Sequence, residues 1–342
     1  MPLHPQRPCA PLTVWPARRM NLWMVTPPDF DAILRAQERI AQHVHRTPIL
    51  RCASIDRIVD GHLLFKCENF QKTGAFKARG AFNAVLALSD EAAARGVVTH
   101  SSGNHGAALA LAARTRGVPA HVVMPRTAPA PKKAAVAAYG GQITECAPTL
   151  DARETAAAAL VAQTGGMVIP PFDHSDVVAG QGSCAAELIA DAGYALDAIL
   201  CPVGGGGLLA GTAIATAALS PDTRVIGVEP EAADDAARGF QCGVLQPQVL
   251  PVATIADGLT TAMSDMTFGV MTRHVHQVVT ASEMAIVEAM RMIWTRMKII
   301  VEPSCAVPLA ALLEGRWSAT GKTVGIILTG GNVDLDRLPW TG

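Results

Sequence analysis

Aromatic side chains are scarce: eight Phe, five Trp and two Tyr supply 4% of the 342 residues. Charge is thin as well, at 17%, and its signs cancel, 28 basic against 29 acidic side chains. A net charge of −1 gives no electrostatic footprint for nucleic acid. A chain that is half hydrophobic is not globally disordered, and this length makes one large or two ordinary domains. Lysine is rare, seven against 21 arginines, so each lysine asks for a reason. The eight cysteines stand singly, without a CxxC pair, and read as small buried hydrophobes in a reducing compartment. The longest charge-free stretch, 198–221, has the length of a membrane span. Pro202 and four consecutive glycines divide it into strand, turn and buried helix, so a soluble cytoplasmic protein is expected.

Residues 1–28 hold three arginines, seven prolines and no acidic residue. The segment lacks the serines and the helical period of a transit peptide. It reads as a disordered extension, or as the result of a start codon placed ahead of Met20 or Met24. From Asp29 onward, apolar runs alternate with Ala-rich stretches. The pattern predicts strands over 63–67, 97–100, 120–124, 142–146, 198–203, 224–229 and 323–328. Helices are predicted over 75–88, 106–116, 131–139, 152–163, 181–192, 208–219, 283–298 and 306–314. This alternation implies an α/β fold with parallel or mostly parallel sheets flanked by helices. In such folds chemistry sits in the loops at the carboxyl ends of strands.

Four of those loops carry unusual residues. Gly204, Gly205, Gly206 and Gly207 follow a strand and open a helix, where bare N–H groups can cradle a phosphate. The pattern is neither GxGxxG nor a P-loop, which removes the nucleotide readings. Ser101, Ser102, Gly103, Asn104 and His105 follow another strand and read either as helix capping or as a carboxylate site. Lys77, within Thr73–Gly80, lies at the start of an apolar helix, where burial would make its amine a usable nucleophile and base. Thr329–Asp334 adds a third polar glycine loop, read on its own as a turn.

In this order, these segments resemble the fold-type II (tryptophan synthase β-like) family of pyridoxal-phosphate enzymes, nearest to the short threonine/serine dehydratases and serine racemase. The resemblance runs from about Asp29 to Trp340. It is supported by Arg46-Thr47-Pro48, Ala179-Gly180-Gln181-Gly182, Thr254-Ile255-Ala256-Asp257-Gly258 and Glu302-Pro303-Ser304. It implies that Lys77 forms the Schiff base with pyridoxal 5'-phosphate, that Phe76 and Gly258 flank its ring, and that Asn104 bonds the ring 3′-oxygen. Gly204 to Gly207 would hold the phosphate, and Thr329, where relatives carry Ser, would face the ring nitrogen. A neutral hydroxyl there suits prompt expulsion of a β-leaving group over a long-lived carbanion. Ser101 to His105 would receive the substrate carboxylate, with Ser102 as a second acid/base.

The implied activity is dehydration of a 3-hydroxy amino acid, threonine or serine first, to a 2-keto acid and ammonium. Lys77 would remove the α-proton before the β-hydroxyl leaves as water. Serine racemisation is the second reading and 3-hydroxyaspartate dehydration the third. The third needs a cation for the distal carboxylate, for which Arg153 is the candidate. A cysteine-synthase-like β-replacement enzyme and a catalytically silent cofactor-binding protein complete the alternatives. The resemblance also implies a Mg²⁺ or Ca²⁺ site at Glu229, the Ala233 carbonyl and Asp235. It further implies a homodimer, with a large domain (29–94 and 175–342) and a small domain (95–174) enclosing the cofactor.

Overall fold

Two sheets form from the β-branched and leucine-rich runs, and each central strand buries nearly its whole length. The computed structural model describes residues 26–101 and 103–340, so the extension expected over 1–28 lies, through residue 25, outside the described residues. Ten strands are present: β1 Ile49–Leu50, β2 His62–Cys67, β3 Val97–His100, β4 Ala120–Pro125, β5 Gln142–Cys146, β6 Met167–Val168, β7 Ala198–Pro202, β8 Arg224–Pro230, β9 Gln277–Ala281 and β10 Thr323–Leu328. One sheet has the order β1-β2-β10-β7-β8-β9 and the other β5-β4-β3-β6. Every pairing is parallel except β1 with β2.

Neighbouring residues of the central strands go to opposite faces, as the pleat requires. Phe65, Leu200 and Ile326 join one core with the helix Pro303–Leu313. Leu64, Ile199 and Ile327 join another with the helices Ser175–Ala192 and Gly207–Leu219. The larger sheet is therefore covered on both sides, which is what its continuous apolar strands demand.

All seven predicted strands are present within two residues. Three others, β1, β6 and β9, carry too little apolar signal to stand out, two of them being only two residues long. Five helices also lie outside the expectation: Phe30–Ile40, Ala53–Val59, Asp90–Ala94, Asp235–Cys242 and Asp265–His274. The helix predicted over 283–298 stops at Met292 and continues as a wider π-turn through Met297, ending where Lys298 adopts φ 60°. Five of the six free cysteines, Cys67, Cys146, Cys184, Cys201 and Cys305, are buried as expected, whereas Cys242 is disulfide-bonded and departs from that reading. No helix among the described residues is long and apolar enough to cross a membrane.

Candidate active site

The carboxyl ends of β2, β3, β7, β8 and β10 carry the loops singled out above. Lys77 opens the helix Lys77–Ala87, and its side chain lies wholly in the interior. Burial pushes its amine down to about 8, against the opposing pull of the Glu302 carboxylate. Lys77 Nζ donates to the Pro171 carbonyl at 2.8 Å and lies 5.0 Å from the Phe76 ring centroid. Phe76 N–H donates to the Thr329 carbonyl (3.0 Å), and Ala75 bridges to Gly330. These contacts seat the last loop, with Thr329 buried, directly beside the lysine segment.

The glycine run packs against the same turn. A Cβ at Gly205 would overlap the Phe172 ring at 2.2 Å, and Gly206 holds φ 83° as it caps the helix Gly207–Leu219. Side chains are thus excluded, and the first N–H groups of a 13-residue helix stay open to an anion. A Cβ at Gly204 would lie 3.2 Å from the Gly258 carbonyl, and Gly258 N–H donates to Ser304 Oγ at 2.9 Å. The Thr254–Gly258 and Glu302–Ser304 motifs therefore meet at the glycine run.

From the smaller sheet, Ser101 leaves β3 and Asn104 begins the helix Asn104–Arg116. Ser102 lies outside the described residues. Asn104 Nδ2 donates to both oxygens of Glu302, at 2.9 and 3.2 Å. Glu302 is buried, and desolvation together with the nearby Asp257 raises its carboxyl to about 7. His105 turns its ring into the core, with Nε2 2.9 Å from the Ile169 carbonyl, and burial lowers it to about 3. The imidazole is neutral, so the loop gains no charge from it. Lys132, on the helix Ala130–Ala138, pairs with Asp257 and lies 3.9 Å from where a Gly103 Cβ would be.

Away from this cluster, Glu229 and Asp235 sit together at the end of β8, 1% and 4% exposed. Glu229 accepts from the N–H groups of Ala236 (3.1 Å) and Ala237 (2.8 Å), and Asp235 Oδ2 has no hydrogen-bond partner. Desolvation and the proximity of the two carboxylates raise Glu229 well above the usual range, and burial raises Asp235 to about 6. No group of three or more His, Cys, Asp or Glu gathers among the described residues. A cation here would rest on these two carboxylates, one carbonyl and water.

Sequence reasoning gave no part to Pro171 and Phe172, which join Lys77 to the glycine run, nor to Lys132. Nothing in the chain order marks them, because they come from the crossover into a different helix. Glu302 and Asp257 were visible only as letters within motifs.

A buried, proton-shedding lysine set between a side-chain-free anion cradle and a polar loop, at the open ends of parallel strands, defines an enzyme that anchors an aldehyde cofactor through lysine. The chain belongs to the pyridoxal-phosphate-dependent enzyme family, whose profile matches residues 40–330. A β-hydroxyaspartate dehydratase of Paracoccus denitrificans (strain Pd 1222) is 50% identical over 313 residues, 92% of this chain and 99% of the relative. Maize serine racemase superposes with a TM-score of 0.88 at 44% identity, covering 90% of this chain and 95% of that one. The serine racemase of Dictyostelium discoideum superposes at 0.86 with 44% identity, covering 91% of this chain where a bacterial-type threonine deaminase does the same at equal identity. The fold is that of the fold-type II serine/threonine dehydratase branch. The residues present fit pyridoxal phosphate: the cradle leaves no room for side chains, and the one wholly buried lysine in reach sheds its proton near neutrality.

Proposed function

We propose that the chain is a pyridoxal-phosphate-dependent dehydratase of 3-hydroxy amino acids, and that 3-hydroxyaspartate is its preferred substrate. The observation that carries the substrate is Arg153. Its guanidinium makes one hydrogen bond among the described residues, Nε to the Thr149 carbonyl at 3.3 Å, and has no carboxylate partner there. Its charge reaches His100, the last residue of β3 before Ser101. An unpaired cation beside the loop for the α-carboxylate, with Lys132 close to Gly103, suits a second carboxylate. The 50% identical relative that bears the name β-hydroxyaspartate dehydratase supports the same choice. Dicarboxylate dehydration thus moves ahead of threonine and serine.

In this reading Lys77 holds the cofactor, Phe76 and Gly258 line its ring, Gly204 to Gly207 take its phosphate and Thr329 meets its nitrogen. Bound there, the cofactor supplies an electron-withdrawing ring that makes the α-proton removable. The Lys77 amine, neutral above about pH 8, takes that proton. Ser101, Gly103 and the N–H groups opening Asn104–Arg116 orient the α-carboxylate, and Ser102 serves as acid/base on the other face. The C3 hydroxyl departs as water, and hydrolysis of the resulting unsaturated amine yields a 2-keto acid and ammonium. Residues 95–174 act as a small domain whose closure keeps water from the reacting carbon. Glu229, Ala233 and Asp235 hold Mg²⁺ or Ca²⁺ as a structural ion, and the enzyme works as a cytoplasmic homodimer.

The test is 2-keto acid release from L-threonine, L-serine, D-serine and the 3-hydroxyaspartate isomers, with Arg153→Ala alongside. One hydroxyaspartate isomer should react fastest. Arg153→Ala should lower kcat/KM for it by about 10- to 100-fold, the scale of a charge-assisted contact, while sparing serine. Fastest release from threonine, unchanged by the substitution, would return the assignment to a threonine dehydratase. D-serine formed from L-serine without keto acid would make it a racemase.

A further inference from the structure

Asn332 lies in the loop after β10, which the sequence marks only as a turn. Its Nδ2 donates to the Thr73 carbonyl at 2.7 Å and to Asn104 Oδ1 at 2.9 Å, so both amide hydrogens are committed. Its backbone N–H bonds Glu302, which also accepts from Asn104 Nδ2. Gly331 N–H donates to the Gly74 carbonyl at 2.9 Å, fastening the same loop to the lysine segment. One asparagine thus ties together the segment leading to Lys77, the carboxylate loop and the start of Pro303–Leu313.

The polarity of this chain is fixed from one end. A carbonyl only accepts, so Thr73, held at φ 60°, obliges Asn332 to point its amide nitrogen inward. That nitrogen obliges Asn104 to offer its oxygen in return. Asn104 must then present its NH₂ group on the other side, where one hydrogen goes to Glu302 and one remains. A side-chain amide has two nearly isosteric orientations, and only one leaves a donor for an oxyanion.

We infer that Asn332 is a positioning residue that locks the Asn104 amide with its donor toward the cofactor, reading its direction from the Thr73 carbonyl. The inference rests on the pyridoxal-phosphate reading of the site. Asp at 332 keeps the shape but cannot donate when ionised, so it would draw the Asn104 NH₂ toward itself and present the Asn104 oxygen to the cofactor. Ala at 332 removes the lock but leaves Glu302 to bias the same amide correctly.

The experiment titrates apo protein with pyridoxal phosphate, following the bound-cofactor absorbance, for wild type, Asn332→Asp and Asn332→Ala. Thermal melting of each apo form checks folding. Asn332→Asp should weaken cofactor binding by about tenfold or more, and Asn332→Ala by about threefold, as expected for a reversed and a merely missing hydrogen bond. Lowering the pH should restore Asn332→Asp, whose protonated carboxyl can donate again, and should not restore Asn332→Ala. If the near-isosteric Asp variant binds as well as wild type, or better than Ala at every pH, Asn332 serves packing alone and the inference falls. Failure of wild-type protein to bind the cofactor would instead overturn the reading of the site itself.

Discussion

Two groups of buried charge lie on either side of the larger sheet's centre, and they are built on opposite principles. In one, Arg79 is wholly enclosed and bonds Glu68 (2.7 and 2.8 Å) and Glu187 (2.8 and 2.7 Å), while Lys66 bonds Glu187 (2.7 Å) and the Thr47 carbonyl (2.8 Å). Two cations face two anions, and the remaining guanidinium contacts go to Ser183 and the His45 carbonyl. In the other, Glu229 and Asp235 share one buried corner with no cation between them and one carboxylate oxygen unpartnered. Desolvating a charge is costly in both places. The first group offsets that cost within the chain, whereas the second does not, and so calls for something from outside. Charge balance separates scaffold from site here better than burial does.

The sharpest way to break the comparison is to unbalance the closed group. Arg79→Met leaves Glu68 and Glu187 facing Lys66 alone, and removing one partner from a buried ion cluster costs about 3–5 kcal/mol. Thermal melting should fall by roughly 5–10 °C. Adding Glu68→Leu restores one cation to one anion, so the double variant should lose less than the sum of the two single ones. Strict additivity in a melting experiment would show that the cluster's members act independently.

This cluster also shows what a sequence can and cannot display. Arg46-Thr47-Pro48 stood out as a motif, and Thr47 proves to serve the buried cluster. Lys77, the glycine run and Asn104 were legible because strand, turn and helix place them locally, each within a few residues of its own strand end. Lys66 belongs to an apolar strand and Glu187 to an Ala-rich helix 121 residues away, so their pairing has no local trace. Asn332, Pro171 and Lys132 likewise act across the fold and look like turn or surface residues. The sheets were readable for the same reason: their central strands are apolar throughout, while β9 at the edge alternates in burial and gives a weaker signal.

The open group should respond to what the closed group ignores. Adding Mg²⁺ or Ca²⁺ to chelator-treated protein should raise the melting temperature by several degrees, since saturation at 100 times Kd adds about 2.7 kcal/mol. Asp235→Asn removes one charge from the pair and should abolish that response, while Arg79 variants should keep it. Equal melting with and without chelator would make Glu229 and Asp235 a pair that the chain tolerates without a ligand.

The smallest expected effect belongs to Glu302, which lies between the two principles. It is a buried carboxylate satisfied by neutral amides, with its carboxyl raised to about 7, so it is anionic only above neutrality. In that state it favours the protonated form of Lys77 and opposes the burial that lowers the amine to about 8. Glu302→Gln removes the anion and keeps the volume, so desolvation acts on Lys77 alone. The amine should then lose its proton at lower pH, moving the midpoint below about 8. The pH profile of apo protein reacting with a small acylating reagent at Lys77 reads this directly, because only the neutral amine reacts. A midpoint that stayed in place would mean that the Asn104 and Asn332 hydrogen bonds already spread the Glu302 charge too far to reach the lysine. Glu302 would then be grouped with the balanced scaffold around Arg79.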